Sequence, residues 1–289
     1  MRPIEYIVRE TGERRTESVM GGGALRFAYE TLLGRTLWPV LFGSKAVSAL
    51  MGLYYDSRLS RGAIKLLASI PGCKADEAEK PIGEYGSFNE FFTRRLKDGA
   101  RPVGEGFASP ADGRLMLYPD VGADDPIPVK KAVKPLKEVL CEEALEGRFD
   151  VAVVRLAPVD YHRFHFPCDM ELAGETKVVA GRYDSVSPIA LAVRPDVYAG
   201  NERQIVRGVA GFGEIWMVDV GAFGVGTIVQ TFKGARQKKG AEKGYFKFGG
   251  STVIVVTRAG AVKYCADIVR NSAEGVETLV KARERLGDA

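Results

Sequence analysis

With 289 residues, 46% of them hydrophobic and 27% charged, the chain is long enough to bury one large core or two modest ones and too apolar to be disordered. Lys and Arg number 41 against 37 Asp and Glu, a net charge of +4 that gives no case for nucleic acid as a partner; an anionic partner has to be met by a local patch. The cysteines, Cys73, Cys141, Cys168 and Cys265, form no C-x-x-C pair, so neither a zinc ribbon nor a disulfide framework is indicated and reduced thiols in a cytoplasmic setting are expected.

The first 23 residues are charged and then glycine-rich, without the basic start, apolar stretch and small-residue cleavage site of a signal peptide. Residues 25–67 form an apolar, helix-compatible region that includes Leu33, Trp38, Leu41, Phe42, Val47 and Leu50. Arg35, Lys45 and Asp56 cut it into stretches much shorter than the roughly 20 residues a spanning helix needs, and Pro39 kinks or starts a helix. Such a pattern suits helices lying in a membrane interface and equally helices packed on a soluble core. Ser87 caps a helix whose apolar face carries Phe88, Phe91, Phe92 and Leu96.

Beyond Arg101 the texture changes. Val151–Leu156, Thr176–Ala180, Ile215–Val220, Val225–Phe232 and Thr252–Val256 read as strands, with weaker helical signal at Val139–Leu145 and Glu274–Leu286. The expected fold is α+β: an N-terminal helical region, residues 1–101, then a β-rich domain of mostly antiparallel strands, residues 102–289.

Three constellations can carry chemistry. Both histidines of the chain, His162 and His165, fall in Asp160-Tyr-His-Arg-Phe-His-Phe-Pro, just after a predicted strand, where functional loops commonly sit. Asp160, His162, His165 and Cys168 are all metal-ligand types, but no second ligand cluster occurs elsewhere and no metal is expected. Ser109-Pro-Ala-Asp-Gly is a turn in which Asp112 either bonds its own backbone or orients a histidine. Gly249-Gly-Ser-Thr precedes an apolar strand; it is neither a nucleophile elbow nor a phosphate loop, and a glycine-rich turn is its plain reading. Its alternative is a serine, Ser251, preceded by an unhindered peptide bond that invites self-cleavage. A basic run, Lys233, Arg236, Lys238, Lys239, Lys243 and Lys247 against Glu242, either meets a lipid phosphate or is a solvated loop.

Together these motifs resemble the pyruvoyl-dependent phosphatidylserine decarboxylases. The resemblance runs through Phe88-Asn-Glu-Phe-Phe-Thr-Arg, Arg101-Pro, Ser109-Pro-Ala-Asp-Gly, Asp160-Tyr-His-Arg-Phe-His, Asn201-Glu-Arg, Val220-Gly-Ala-Phe-Gly-Val-Gly-Thr and Gly249-Gly-Ser-Thr, in that order. The family's processing motif is most often Leu-Gly-Ser-Thr; here Gly249 replaces the leucine and the cleaved Gly-Ser pair is kept.

The resemblance implies a proenzyme that cuts itself between Gly250 and Ser251 into a large chain, 1–250, and a small chain, 251–289, leaving a covalent pyruvoyl group at position 251. It implies Asp112, His165 and Ser251 as the self-cleavage triad; His162, with Asp160 as a candidate partner, is the candidate proton donor in decarboxylation. By the same resemblance, phosphatidylserine is expected to form a Schiff base with the pyruvoyl group and to leave as phosphatidylethanolamine and CO2. The implied partners are this lipid, an anionic membrane surface at the cytoplasmic side of the cell membrane, and the two chains of one precursor, with homo-oligomerisation left open. Three rivals stand beside this reading: a serine hydrolase using the same three residues in an intact chain, a membrane-associated binding protein that does not process, and a related decarboxylase acting on another amine-bearing lipid or a soluble amino acid.

Overall fold

The computed structural model describes residues 5–17, 23, 27, 31, 33–34, 45–127, 134–182, 197–222, 227–248 and 251–289. A hairpin of β1 (Glu5–Val8) and β2 (Arg14–Thr16) opens the chain, followed by helices α1 (Lys45–Asp56), α2 (Gly62–Ala68) and α3 (Phe88–Phe92). Next come β3 (Phe107–Ala108), β4 (Gly113–Gly122), helix α4 (Leu136–Leu140), β5 (Arg148–Leu156), β6 (Arg163–His165), β7 (Met170–Leu172) and β8 (Lys177–Val179). Helix α5 (Val197–Gly200) precedes β9 (Arg203–Ala210), β10 (Gly213–Gly221), β11 (Ile228–Gln230), β12 (Arg236–Gln237), β13 (Glu242–Phe246), β14 (Ser251–Arg258) and β15 (Lys263–Tyr264). Helix α6 (Ala266–Ala273), β16 (Glu277–Val280) and β17 (Arg285–Asp288) close it.

The strand-rich, largely antiparallel α+β character expected of the chain is what the structure has. One large sheet runs in the order β12-β7-β9-β10-β14-β5-β4-β16-β1-β2, with β8 also on β9; among the described residues its one parallel pairing joins β1 to β16. The central strands β5, β10 and β14 are near-continuous apolar runs because both faces of the sheet are covered. On one face Val154, Met217 and Val253 pack under a smaller sheet, β11-β13-β6, through Ile228, Phe164 and Phe246. On the other, Val151, Trp216, Val218 and Ile254 meet Leu136 and Val139 of α4.

A third cluster lies at the edge of the site. Ile64, Leu67, Phe88, Phe91 and Phe92 of the N-terminal helices pack on Ala157 and Val159, the residues that follow β5. Each fully buried phenylalanine contributes roughly 1.5–3 kcal/mol, so this cluster fixes where the chain goes after β5. Ser87 caps α3 as expected, its hydroxyl accepting the Glu90 N–H at 3.2 Å.

Several expectations are corrected. The helix expected at Val139–Leu145 lies earlier, at α4, and ends at Cys141 in a left-handed conformation with φ 52°. The charged tail Glu274–Leu286 is not helical: α6 ends at Ala273, Gly275 turns the chain at φ +73°, and β16 and β17 follow. β16 alternates half-buried and buried residues because it lies between β4 and β1, and that pairing overrides the helical preference of its charged flanks. Residues 5–17 join the sheet rather than the helices. Of the strand expected at Val225–Phe232, β11 covers 228–230. The helical reading of 25–67 holds for α1 and α2; Arg35, Trp38, Pro39, Leu41 and Phe42 lie outside the described residues.

Candidate active site

Ser251 is the first residue of β14, paired with Leu156 at the end of β5 on one side and with Gly221 at the end of β10 on the other. It therefore sits at the rim of the large sheet, between two neighbouring strand ends, a position that opens onto loops. Gly249 and Gly250 lie outside the described residues.

Immediately after Leu156 the chain turns. Asp160 N–H donates to the Ala157 carbonyl at 2.9 Å, and the Asp160 carboxylate accepts the Ala157 N–H at 2.6 Å while pairing with Arg114. Burial pushes the Asp160 carboxyl up, with Arg114 opposing that shift. The turn delivers His162, which is fully buried, with its ring 3.9 Å from that of Phe92 and its Nδ1 2.9 Å from the Asp160 carbonyl. Asp160 thus serves His162 through its main chain, and its carboxylate belongs to Arg114.

His165 occupies different surroundings. Its Nδ1 lies 3.2 Å from the Gly240 carbonyl, its ring stacks on Tyr161 at 5.8 Å, and its N–H donates to the Pro110 carbonyl at 2.7 Å. A carbonyl oxygen only accepts, so in both histidines Nδ1 carries the proton and, in the neutral ring, Nε2 is a bare acceptor. Both Nε2 atoms are buried with no hydrogen-bond partner among the described residues. Burial, with nearby arginines adding to it, lowers the pKa of each from 6.5 to about 3. Two buried neutral imidazoles with free Nε2 lone pairs are what general base chemistry requires.

Asp112 does not bond His165. Its carboxylate accepts from Arg101 Nε and Nη2 at 2.9 and 2.7 Å and from the Ala282 N–H at 2.7 Å, and Arg101 also pairs with Glu77 at 2.7 Å. Asp112 therefore anchors the Ser109–Gly113 turn to the β16–β17 connection, and that turn grips His165 through the Pro110 carbonyl.

A sequence profile described as phosphatidylserine decarboxylase matches residues 88–288. Proteins named phosphatidylserine decarboxylase proenzyme are 38% identical in Ruminiclostridium cellulolyticum and 39% in Fusobacterium nucleatum, each match covering 99% of this chain and 97% of the relative. One of the same name in Chlamydia muridarum is 37% identical over 98% of this chain and 96% of its own length. The chain belongs to the phosphatidylserine decarboxylase family.

Within this decarboxylase fold, two asparagines whose roles were not foreseen frame position 251. Asn89 Oδ1 accepts the Phe248 N–H at 3.0 Å, and its Nδ2 donates to Asp56 at 2.9 Å, tying the segment before the Gly-Gly pair to α1 and α3. Phe248 packs its ring on Phe88, Phe92 and Tyr55, and Phe246 N–H donates to the His162 carbonyl at 3.0 Å. Asn201 Nδ2 donates to the carbonyl of Gly221, the residue paired with Ser251, at 2.8 Å, and Gly221 N–H donates to Glu202 at 2.9 Å. The signal was present in the quoted motifs: a polar amide inside an apolar helix and another just before a strand are costly unless each satisfies buried backbone groups. In the basic run, Arg236 and Lys238 are exposed, whereas Lys243 is fully buried and belongs to no solvated loop.

Proposed function

We propose that this chain is a phosphatidylserine decarboxylase proenzyme, a carboxy-lyase that cuts itself at Gly250–Ser251 and converts phosphatidylserine to phosphatidylethanolamine and CO2. The observation that carries the reading is that Ser251 opens β14 paired with Leu156, the last residue of the strand from which the chain turns to two buried histidines whose Nε2 atoms have no hydrogen-bond partner among the described residues.

In self-cleavage, His165 Nε2 takes the Ser251 hydroxyl proton as the oxygen attacks the Gly250 carbonyl, moving the acyl group from nitrogen to oxygen. Loss of the α-proton of residue 251 expels the Gly250 carboxylate, and addition of water with release of ammonia leaves the pyruvoyl carbonyl. Asp112 acts as a positioning residue, holding the turn that holds His165. The residues present fit such a group: position 251 opens a strand, and each buried imidazole directs Nδ1 to a backbone carbonyl, as a base would. When formed, the pyruvoyl group supplies the carbonyl that captures the substrate amine and the sink for the electrons of the breaking bond. His162 Nε2 takes the proton that the substrate ammonium loses and returns one to the carbon that loses CO2 in this reading; an anionic substrate beside it raises its basicity. Intact-mass measurement of the purified protein is expected to show chains 1–250 and 251–289, the small one lighter by one ammonia than a chain beginning with serine. A single full-length chain that reacts with acyl-serine probes would favour the hydrolase reading instead.

The lipid reaches the site from a membrane surface, and α1, α2 and the turn between them supply a face for it. Leu50, Leu53, Leu59 and Leu66 are 67% exposed or more, beside exposed Arg58, Arg61 and Lys65, the pairing of apolar and basic side chains that suits an anionic bilayer. This face adjoins the site: Tyr55 packs on Phe248 at 4.6 Å, and Asp56 pairs with Lys247 at 2.8 Å. Among the described residues no helix is long and apolar enough to cross a membrane, so the proposed attachment is peripheral. A Leu53→Glu/Leu59→Glu/Leu66→Glu variant is expected to process normally yet to stop co-floating with vesicles containing phosphatidylserine. Undiminished flotation would place the contact elsewhere.

A further inference from the structure

The small sheet that carries His165, with His162 just before its strand β6, is fastened to the large sheet that carries position 251 by a buried polar cluster set, among the described residues, in a largely apolar interface. Lys243, on β13, is fully buried and its ammonium pairs with Asp219, on β10. Gln230, on β11, accepts from Lys243 at 3.3 Å and donates to Asp219 at 2.7 Å and to Gln204, on β9, at 2.8 Å. The rings of Phe164 and Phe232 wall the ammonium at 5.2 and 6.0 Å, and Ile228, Phe246, Met217 and Val253 complete the interface.

The cluster lies beside the site on both layers. Asp219 pairs with Val253 and Gly221 with Ser251, so Asp219 is one diagonal step from Ser251, roughly 7–8 Å away along the sheet. Gly221, between them, carries no side chain. On the other layer, the neighbours of Lys243 in β13 are Glu242, which pairs with His165, and Gly244, which pairs with Phe164. Apolar packing is non-directional and lets two sheets slide; a hydrogen-bonded charge pair admits one register. A buried ion pair adds little net stability over apolar residues of the same volume, but removing one partner strands a charge. What the cluster supplies is alignment.

We propose that Lys243 and Asp219, supported by Gln230, are positioning residues for self-cleavage that lock the histidine-bearing layer in register over Ser251. This rests on the processing reading above. The test is a cell-free translation time course read by intact mass, with melting temperature measured in parallel. Lys243→Met alone is expected to lower both melting temperature and cutting. The double variant Asp219→Leu/Lys243→Met is expected to regain the melting temperature and still cut roughly 10- to 100-fold more slowly than the parent, the scale of a misplacement near 1 Å. Asp219→Asn keeps the shape and the Gln230 hydrogen bond while weakening the tie to Lys243; it is expected to fold and cut several-fold more slowly. Parent-like cutting by either folded variant overturns the proposal, because a merely structural pair would be replaced by the apolar one without loss. A parent chain that never cuts overturns the processing reading itself.

Discussion

A Ser251→Ala variant is expected to remain one uncut chain and to release no CO2 from phosphatidylserine, with cutting slowed by more than roughly a thousandfold, as for removal of the nucleophile in other acyl transfers. The substitution removes the only atom that attacks the Gly250 carbonyl and, with it, the carbon skeleton's route to a carbonyl at position 251. Both losses have one cause, so no external cofactor is expected to restore activity. Ser251→Thr and Ser251→Cys separate the two steps. Each keeps a nucleophile at the start of β14, between the ends of β5 and β10, and is expected to cut slowly. Intact mass and a lipid assay on the same samples check the set, with the melting temperature of Ser251→Ala showing that the fold persists. A Ser251→Ala chain that cuts at the parent rate would remove the serine from the chemistry.

How far the site could be read in advance depends on whether a residue's role is local or set by partners distant in the chain. Gly249-Gly-Ser-Thr before Val253–Val256 marks a strand start locally, and β14 begins at Ser251. The two histidines were confined to one segment by composition, and their separate surroundings follow from a turn and a short strand. Asp112 was legible as important but not in its contacts: its partners are Arg101, which was noted only as part of a motif, and the Ala282 amide, 170 residues away. Lys243 shows the opposite failure. Five cations around it suggested a solvated loop, and nothing local announces that Asp219, on another sheet, neutralises it. The tail beyond Glu274 misled for the same reason: the β4 and β1 edges that claim β16 lie far off in the chain.

The histidines are expected to divide the two reactions. His165→Gln should slow self-cleavage by about 100- to 10,000-fold, the usual contribution of a general base, whereas His162→Gln should cut within a few-fold of the parent and then fail in decarboxylation. The assignment rests on each imidazole being neutral with a free Nε2, and that state has a measurable signature in pH. Both pKa values are lowered by burial from 6.5 to about 3, so the unfolded chain binds protons below pH 6.5 that the folded chain refuses. Folding stability is therefore full above pH 6.5 and falls as the pH drops toward 3, by up to about 1.4 kcal/mol per pH unit for each histidine. Urea midpoints between pH 7 and 4 are expected to fall less steeply in a His162→Gln/His165→Gln variant than in the parent. The rate of self-cleavage, by contrast, is expected to show no inflection near pH 6.5, because the base form is already fully populated there. An inflection at 6.5 that His165→Gln abolishes would mean that His165 is solvated in the precursor, and the buried-base mechanism would then fail.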